Sequence, residues 1–332
     1  MNNTPLLSIC IPSYKRADLL AECLTTILLS ARGYEDCLEI IVADNASPDH
    51  TGEVVASFQK KFPQIVYFRH DSNIGGERNF RHVASMAKGE FIWICGDDDR
   101  IAMPAIGQVI QKIKSSFDLV ICNYSMWKKD FSECINPAVL DTANRVFSDK
   151  NDLLSTVGLN VGYISSVIIR KSLFFKLPAE EYESYVDFGF PFVYAVYSGM
   201  QQPCNAIYLA EPLILNRTAN TGAYDWYKFF VVGSSLIFNE LSAKGYSGKA
   251  IDTAKKKVIR QYVIHDMLVK KRDGVALSKY MRLMLPFYRS YTVFWGVLLP
   301  IFLIPPKLIW MAWWGIKKLK NIKQSVVASK GV

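Results

Sequence analysis

The amino-acid sequence predicts an α/β fold in which helices flank a mostly parallel β-sheet. Short apolar segments typical of buried strands alternate with longer segments of helical periodicity in the N-terminal part of the chain, and this alternation is typical of βαβ units. Polar and acidic clusters follow the apolar segments, which is where ligands bind in such sheets. The chain has 332 residues, 50% of them hydrophobic, so it can bury a sizeable core.

The predicted elements alternate from the N-terminus onward. The first strand, Leu6–Ile11, is ended by Pro12, and the second, Leu38–Ala43, is ended by the turn cluster 44–49. Asp18 can cap the helix that follows the first strand. The other elements predicted in this part are a helix ending near Ser30, Thr51–Phe62 (helix), Ile65–Arg69 (strand), Gly75–Lys88 (helix), Glu90–Ile94 (strand), a helix ending near Ser116, and Leu119–Asn123 (strand).

The second half of the chain has weaker local signals. Residues 124–150 are predicted to form an antiparallel excursion. Two short apolar segments flank Glu211-Pro212 and are predicted to be edge strands. The predicted elements are Val161–Ile169 (strand), Phe190–Ser198 (helix), Ile207–Leu209 and Leu213–Leu215 (edge strands), and residues 224–289 (helical).

The distribution of charge argues against a generally basic, nucleic-acid-binding protein. The net charge is +9, but residues 255–332 contain 16 Lys and Arg against two acids, so the rest of the chain is acidic. The seven cysteines are scattered without a C-x-x-C pair, which favours reduced thiols over a zinc knuckle or a disulfide-rich secreted fold. The first seven residues lack the pattern of a secretory signal.

The basic C-terminal segment is also apolar and rich in tryptophan. Thr292–Ile304 and Leu308–Ile316 are shorter than the roughly 20 apolar residues that cross a bilayer, and prolines interrupt the region. Aromatic rings and cations beside short apolar stretches are typical of a membrane interface, with an ordinary pair of core helices as the alternative. The residues predicted to contact the membrane are Trp295, Trp310, Trp313, Trp314, Lys317 and Lys318.

The acidic triplet Asp97-Asp98-Asp99 directly follows a predicted strand. Three adjacent carboxylates repel one another unless a cation or a set of hydrogen-bond donors lies among them. Mg²⁺ typically takes one or two carboxylates together with substrate phosphates. The triplet therefore favours a metal-assisted phosphate site, with a solvated turn that caps the next helix as the alternative.

Polar residues also follow the ends of three other predicted strands. Because the carboxyl ends of parallel strands share one edge of a sheet, we expect these residues to converge. An arginine there can bind phosphate bidentately. The glycine-rich signatures of nicotinamide dehydrogenases and P-loop NTPases are missing, which argues against both classes. The converging residues are Pro12, Ser13, Tyr14, Arg16, Asp44, Asn73, Gly75, Arg78 and Asn79.

Four segments in this order and spacing resemble family-2 glycosyltransferases of GT-A fold: Ser8–Arg16, Glu39–Asp49, Asn73–Asn79, and Gly89–Ile92 leading to Asp97–Asp99. A later segment, Gly162–Lys171, resembles the abequosyltransferase-like branch, which builds bacterial surface polysaccharides. The resemblance implies a nucleotide-sugar donor and Mn²⁺ or Mg²⁺. It implies donor-nucleotide binding by Pro12, Ser13, Tyr14, Arg16, Asp44, Asn73, Arg78, Asp97 and Asp98, and metal binding by Asp97 and Asp99.

The resemblance also implies a catalytic base in an acidic segment beyond the triplet. An inverting transfer needs a carboxylate that accepts the proton of the acceptor hydroxyl. We predict Asp187 for this role, because it directly precedes a predicted helix and can lie at the helix N-cap. A pure capping role is the alternative, and Glu181 and Glu183 are the neighbouring candidates. Val186 stands where the family has a paired acid.

We therefore expect an enzyme that moves a sugar from a nucleotide sugar to a membrane-held, polyprenyl-diphosphate-linked oligosaccharide in O-antigen or capsule synthesis. Its expected location is the cytoplasmic face of the bacterial inner membrane, peripheral or monotopic, with membrane lipids and no nucleic acid as partners. The expected regions are a catalytic domain (1–220), a helical extension (221–282) and membrane-interface segments (283–324). The alternatives are a nucleotidyltransferase and a non-catalytic membrane adaptor. A nucleotidyltransferase would require a basic, glycine-rich loop after the first strand, and the segment 12–16 has no glycine.

Overall fold

The computed structural model describes residues 4–200, 202–218, 226–305 and 307–308. Trp310, Trp313, Trp314, Lys317 and Lys318 therefore lie outside the described residues. The strands are β1 (Leu7–Ser13), β2 (Leu38–Asp44), β3 (Ile65–Arg69), β4 (Phe91–Ile94), β5 (Arg100–Ile101), β6 (Leu119–Trp127), β7 (Cys134–Asn136), β8 (Arg145–Phe147), β9 (Val167–Arg170) and β10 (Ala206–Arg217).

The helices of the first 200 residues are α1 (Ala17–Ser30), α2 (Thr51–Gln59), α3 (Gly76–Met86), α4 (Ala105–Lys114), α5 (Lys150–Val157), α6 (Lys171–Phe174), α7 (Ala179–Glu183) and α8 (Pro191–Gly199). The later helices are α9 (Ser234–Glu240), α10 (Gly248–Val258), α11 (Ile264–Arg272), α12 (Ser278–Tyr288) and α13 (Leu299–Leu303). Three π-helical segments lie beside them, at Lys228–Gly233, Ile259–Val263 and Phe294–Leu298. The helical prediction for 224–289 is therefore confirmed over its described part.

The described strands form one mixed sheet in the order β3-β2-β1-β4-β9-β6-β10-β5, with β7 on β6 and β8 on β10. Strands β1 to β4 are parallel to one another, whereas β9 pairs antiparallel with both β4 and β6. The prediction of a mostly parallel sheet holds for β1 to β4 and for the parallel pair of β6 and β10, whereas β9 and the short strands β5, β7 and β8 are antiparallel to their neighbours. Strand β9 runs antiparallel to β4 because the chain enters it through turns that lie at the carboxyl end of β4. There, Gly96 N donates a hydrogen bond to Ser165 Oγ at 2.8 Å.

Most of the predicted N-terminal elements are confirmed, and the antiparallel excursion is confirmed by β7 and β8. Two other predictions are wrong. The strand predicted over Val161–Ile169 begins only at Val167, because two 3₁₀ turns precede it. The two predicted edge strands around Glu211-Pro212 are one internal strand, β10, in which a bulge accommodates the proline without ending the strand.

The sheet buries apolar side chains on both of its faces. Within β1, Ile9 and Ile11 pack in the same core as Leu20 of α1, whereas Cys10 packs in the opposite core with Val83 of α3. This alternation follows from the two-residue period of a strand, and it explains why a strand covered on both faces is continuously apolar. Helices on both faces fix the position of the strand ends, where the site lies.

The C-terminal helices pack onto the same core as one face of the sheet. Val231, Phe238, Met284 and Phe294 belong to the cluster that also contains Leu154 of α5. The described helical extension therefore shares a core with the α/β part of the chain, and the boundaries at 220 and 282 stay a prediction. None of the described helices combines the length and the apolar content needed to cross a membrane.

Candidate active site

A cleft with a volume of about 540 Å³ opens at the carboxyl ends of β1 and β4. It brings together most of the residues that the sequence predicted for nucleotide and metal binding. Asp44, Arg78 and Asp187 do not line it. The predicted residues in its walls are Pro12, Ser13, Tyr14, Arg16, Asn73, Asp97, Asp98 and Asp99.

Asp97 is connected directly to the end of β1. Ser13 Oγ donates a hydrogen bond to Asp97 Oδ2 at 2.7 Å, and Arg16 Nη1 donates to Asp97 Oδ1 at 2.9 Å and to Asp98 Oδ2 at 3.1 Å. Burial raises the pKa of Asp97 to about 6, and the charge of Asp98 adds to this rise against the opposing effect of Arg16. The first strand thus supplies the donors that hold the start of the acidic triplet.

Asp99 is held by two residues that the sequence did not predict. Ser165 Oγ donates to Asp99 Oδ2 at 2.6 Å, and Asn216 Nδ2 donates to Asp99 Oδ1 at 3.2 Å. Burial raises the pKa of Asp99 to about 7, with Asp98 as the next cause. Ser165 lies inside the segment that carries the branch resemblance, which was a usable signal, whereas Asn216 lies in β10 without any local motif.

The buried Arg217 binds the backbone of the acidic triplet. Arg217 Nε donates to the carbonyl oxygen of Asp98 at 3.1 Å, and the same guanidinium pairs with Glu22. Arg100 also pairs with Glu22, at 2.8 Å, and both arginines lie over the ring of Phe131. This cluster joins α1, β5 and the end of β10, and sequence reasoning missed all of it.

The chemistry of the triplet fits a divalent cation that shares its coordination with phosphate. The part of the chain that the structure describes contains no group of three or more His, Cys, Asp or Glu side chains placed to hold a metal by themselves. Each of the four carboxylate oxygens of Asp97 and Asp99 accepts at least one hydrogen bond, and a carboxylate oxygen that accepts a single hydrogen bond keeps a lone pair for a further ligand. Because Mg²⁺ sites use one or two carboxylates plus phosphate oxygens, the carboxylates of Asp97 and Asp99 are sufficient protein ligands for such a cation.

Asp44 lies outside the cleft wall. Its carboxylate is fully buried and accepts hydrogen bonds from Tyr67 Oη at 2.7 Å and from the backbone N–H of Ser47 at 2.8 Å. The adjacent Asn45 lines the cleft instead, and its side-chain amide donates to Asn73 Oδ1 at 2.9 Å. A contact between Asp44 and a nucleotide stays a prediction.

Arg78 and Asp187 lie near each other at the side of the cleft. Arg78 Nε donates to Glu183 Oε1 of α7 at 2.8 Å, and the carboxylates of Glu183 and Asp187 raise the pKa of Arg78. The expected N-cap role of Asp187 is wrong: the N-cap of α8 is Phe190. The reason is that Gly189 and Phe190 both have positive φ, so the chain turns away before the helix begins. Asp187 itself is exposed in the 3₁₀ turn Val186–Phe188.

The second wall of the cleft is largely apolar and comes from distant segments. Phe80 of α3 and Phe229 contribute to it, together with Glu77. Burial raises the pKa of Glu77 to about 7, and the backbone N–H of Phe190 partly opposes this rise. Glu77 Oε2 is buried without a hydrogen-bond partner among the residues that the structure describes.

Two glycines allow the C-terminal helical region to pack closely against this wall. A Cβ on Gly189 would lie 2.0 Å from Cδ1 of Phe229, and a Cβ on Gly233 would lie 2.1 Å from the carbonyl oxygen of Phe188. Side chains are therefore excluded at both positions. The segment Lys228–Gly233 thus packs directly on the turn that contains Asp187.

The fold and the cleft define the class of protein. A Rossmann-like, curled mixed sheet with flanking helices and an acidic triplet at its carboxyl edge is the arrangement of a GT-A glycosyltransferase. Residues 8–175 match glycosyl transferase family 2. The chain belongs to this family and is a glycosyltransferase.

Two curated relatives show which branch of the family this chain is similar to. It is 31% identical over 228 residues to abequosyltransferase RfbV of Salmonella typhimurium, in an alignment covering 65% of this chain and 67% of that protein. It is 32% identical over 120 residues to the GalNAc(5)-diNAcBac-PP-undecaprenol beta-1,3-glucosyltransferase of Campylobacter jejuni. The second alignment covers 36% of this chain and 38% of that protein, so the chain spans well under half of its length.

Solved structures agree in fold. The crystal structure of S. aureus TarS 1–349 in complex with UDP-GlcNAc has a TM-score of 0.58 and 15% identity, covering 87% of this chain and 74% of that one. The mannosyltransferase PcManGT from Pyrobaculum calidifontis, in complex with GDP-Man and Mn²⁺, has a TM-score of 0.54 and 15% identity, covering 77% and 70%. At this identity the likeness establishes the fold.

Proposed function

We propose that this glycosyltransferase moves a sugar from a nucleotide sugar to a polyprenyl-diphosphate-linked saccharide in O-antigen or capsule synthesis. The observation that carries the proposal is the acidic triplet, held by Ser13 and Arg16 in a cleft at the carboxyl edge of the sheet. Relatives support it by their names, one an abequosyltransferase and one acting on an undecaprenol-linked substrate. A neighbour in fold binds UDP-GlcNAc.

In this proposal, Asp97 and Asp99 hold Mn²⁺ or Mg²⁺ against the donor diphosphate. A divalent cation supplies neutralisation of the charge that develops on the leaving diphosphate. Arg16 contacts Asp97 and Asp98 and orients the triplet. A Mn²⁺-bound mannosyltransferase of the same fold supports this role.

We propose Asp187 as the residue that accepts the proton of the acceptor hydroxyl. The hydroxyl oxygen forms a bond to the anomeric carbon of the donor, the bond from that carbon to the diphosphate oxygen breaks, and the nucleoside diphosphate leaves. The competing acids of this segment are already engaged: Glu181 pairs with Lys244 at 2.9 Å and Glu183 with Arg78. The Asp187 carboxylate is exposed at the side of the cleft, where a large acceptor can reach it.

The acceptor is expected at a membrane surface, and the chain has a candidate docking region. Among the described residues, seven large apolar side chains are exposed within 283–308. Arg289 and Lys307 are exposed in the same stretch, and Lys279 and Arg282 are exposed just before it. Apolar side chains beside cations favour binding to an anionic membrane surface, here the cytoplasmic face of the bacterial inner membrane.

The experiment is a transfer assay with the purified protein, Mn²⁺, a panel of nucleotide sugars, and lipid-linked saccharides from bacterial membranes. We expect one nucleotide sugar to lengthen a lipid-linked saccharide by one sugar, and Asp97→Ala to remove this activity. Release of pyrophosphate from nucleoside triphosphates, without sugar transfer, would instead identify a nucleotidyltransferase.

A further inference from the structure

Glu77 is a partly buried acid in the cleft wall that the proposed chemistry does not use. It lies in the first turn of α3 and lines the cleft. Its Oε2 atom is buried and has no hydrogen-bond partner within the described residues, whereas the backbone N–H of Phe190 interacts with its carboxylate. A buried carboxylate oxygen without a donor is costly unless a ligand supplies one.

The charged groups nearby do not compensate Glu77. Arg81 follows four residues later on α3, but its Nη2 donates to the carbonyl oxygen of Leu177 at 2.9 Å. Its guanidinium lies over the rings of Phe175 and Tyr182, 5.1 and 4.9 Å from their centroids. Tyr182 Oη donates to the Glu77 carbonyl oxygen at 3.0 Å and not to its carboxylate. The carboxylate is therefore not part of an ion pair that stabilises the fold.

The surroundings of Glu77 suit a sugar. Aromatic rings of Phe80, Tyr163 and Phe229 line the same cleft, and ligand sites of this kind combine apolar walls with a few polar groups that fix orientation. A sugar offers apolar C–H faces to the rings and hydroxyl donors to a carboxylate. A carboxylate accepts such hydrogen bonds more strongly than a neutral oxygen does.

We infer that Glu77 accepts a hydrogen bond from a hydroxyl group of a sugar bound in the cleft, and so fixes the position of that sugar for transfer. This inference rests on the proposed function. The interaction with Phe190 places the carboxylate beside the turn that contains Asp187. The sugar is either that of the donor or the terminal sugar of the acceptor, and the hydroxyl chemistry is the same for both.

The test compares Glu77→Ala and Glu77→Gln in the full-length protein with the wild type and with a matched control, Glu53→Gln. Glu53 also lies in the first turn of a helix, α2, but is exposed. We expect Glu77→Ala to lower kcat/KM for transfer about 10- to 100-fold, because one hydrogen bond to a charged group is lost. Glu77→Gln keeps a hydrogen-bonding amide and is expected to remain within about tenfold of the wild type.

Binding measurements separate this role from a structural one. Affinity for the free nucleoside diphosphate, measured by calorimetry, is expected to be unchanged in both variants, since Glu77 is not among the residues predicted to contact the nucleotide. A higher KM for the nucleotide sugar and slower hydrolysis of the donor without acceptor assign Glu77 to the donor sugar. A higher KM for the lipid-linked saccharide alone assigns it to the acceptor.

The inference is overturned if Glu77→Ala keeps wild-type kcat/KM, or if Glu77→Gln loses as much activity as Glu77→Ala. It is also overturned if both variants lose affinity for the nucleoside diphosphate in step with activity. A wild-type protein that binds nucleoside diphosphates but transfers no sugar would instead refute the proposed function. The two failures are therefore distinguishable.

Discussion

The two walls of the cleft are built in different ways. On the wall formed by β1 and the triplet, both carboxylate oxygens of Asp97 accept hydrogen bonds from Ser13 and Arg16. On the opposite wall, Glu77 Oε2 is buried without a partner among the described residues, and Phe80 and Phe229 lie in the same wall. The proposed function assigns the first wall to the diphosphate of the donor. It assigns the second wall to the sugar, which differs between the relatives by their names.

The largest expected effect tests the proposed catalytic base, Asp187. Asp187→Asn is expected to lower turnover roughly 10²- to 10⁴-fold, because the amide cannot accept the hydroxyl proton. Affinity for the nucleoside diphosphate is expected to stay unchanged. Steady-state kinetics and calorimetry measure the two quantities.

Asp36→Asn is a matched control for this variant. Asp36 is also an exposed residue at the centre of a three-residue 3₁₀ turn, Glu35–Cys37, but this turn leads into the amino end of β2, whereas the cleft lies at the carboxyl ends of the strands. Wild-type turnover in Asp187→Asn would show that the catalytic base is a residue other than Asp187.

The next effect concerns the first wall. Asp97→Ala and Asp99→Ala are each expected to lower turnover roughly 100-fold or more, because charge neutralisation at the leaving diphosphate is worth several kcal/mol. Ser13→Ala removes one donor to Asp97 and is expected to lower it about tenfold. Rates measured with and without excess chelator check the prediction, and full activity in the chelator would exclude a metal.

A smaller effect is expected outside the cleft, at the docking region. Changing Leu285, Trp295 and Leu303 to serine is expected to reduce co-sedimentation with anionic vesicles, since all three side chains are exposed. Each nearby Lys or Arg contributes only about 1 kcal/mol, which salt weakens. High salt is therefore expected to release the wild-type protein only partly.

The matched control changes three exposed apolar residues elsewhere, Met103, Ile135 and Val146, to serine. It is expected to co-sediment like the wild type. Equal binding by both triple variants would rule out a specific docking region.

The smallest expected effect is on stability and comes from Glu77. Burial raises its pKa from 4.5 to about 7, so between these values the folded protein holds a proton that the unfolded chain has lost. The free energy of unfolding of the wild type therefore falls with rising pH in this window. Because Gln does not titrate, the stability of Glu77→Gln relative to the wild type is expected to increase from about pH 5 to about pH 7 and then level off.

Urea denaturation of both proteins over this range measures that difference. The contributions of Asp97 and Asp99 are common to both and cancel. A difference that does not change with pH would show that Glu77 is not buried as an acid in solution.

The sequence predicted the first wall because its residues follow strand ends. Ser13 and Asp97 each come directly after an apolar run, and parallel strands bring such positions to one edge. Ser165 and Asn216 escaped prediction because they reach the triplet through the reversed strand β9 and the internal strand β10. Neither the reversal of β9 nor the internal position of β10 has a local signature, since both depend on which strands they pair with.

The second wall could not be predicted from the sequence for a different physical reason. Glu77 lies inside a recognisable motif, but an acid in the first turn of a helix is ordinarily solvated and favourable to the helix dipole. The backbone N–H of Phe190, in the turn before α8 and more than 100 residues away in sequence, interacts with its carboxylate. The same turn misled the prediction for Asp187, because the positive φ of Phe190 is unusual for a non-glycine residue.

A crystal structure of the protein with Mn²⁺ and a nucleoside diphosphate, UDP or GDP, tests the central claim most directly. An anomalous difference map at the manganese edge locates the metal without reference to any assumed site. The account predicts one peak within coordination distance of a carboxylate oxygen of Asp97 or Asp99 and of the diphosphate, with Glu77 untouched by the nucleotide. A diphosphate bound away from the triplet, or a metal bound elsewhere, would contradict it.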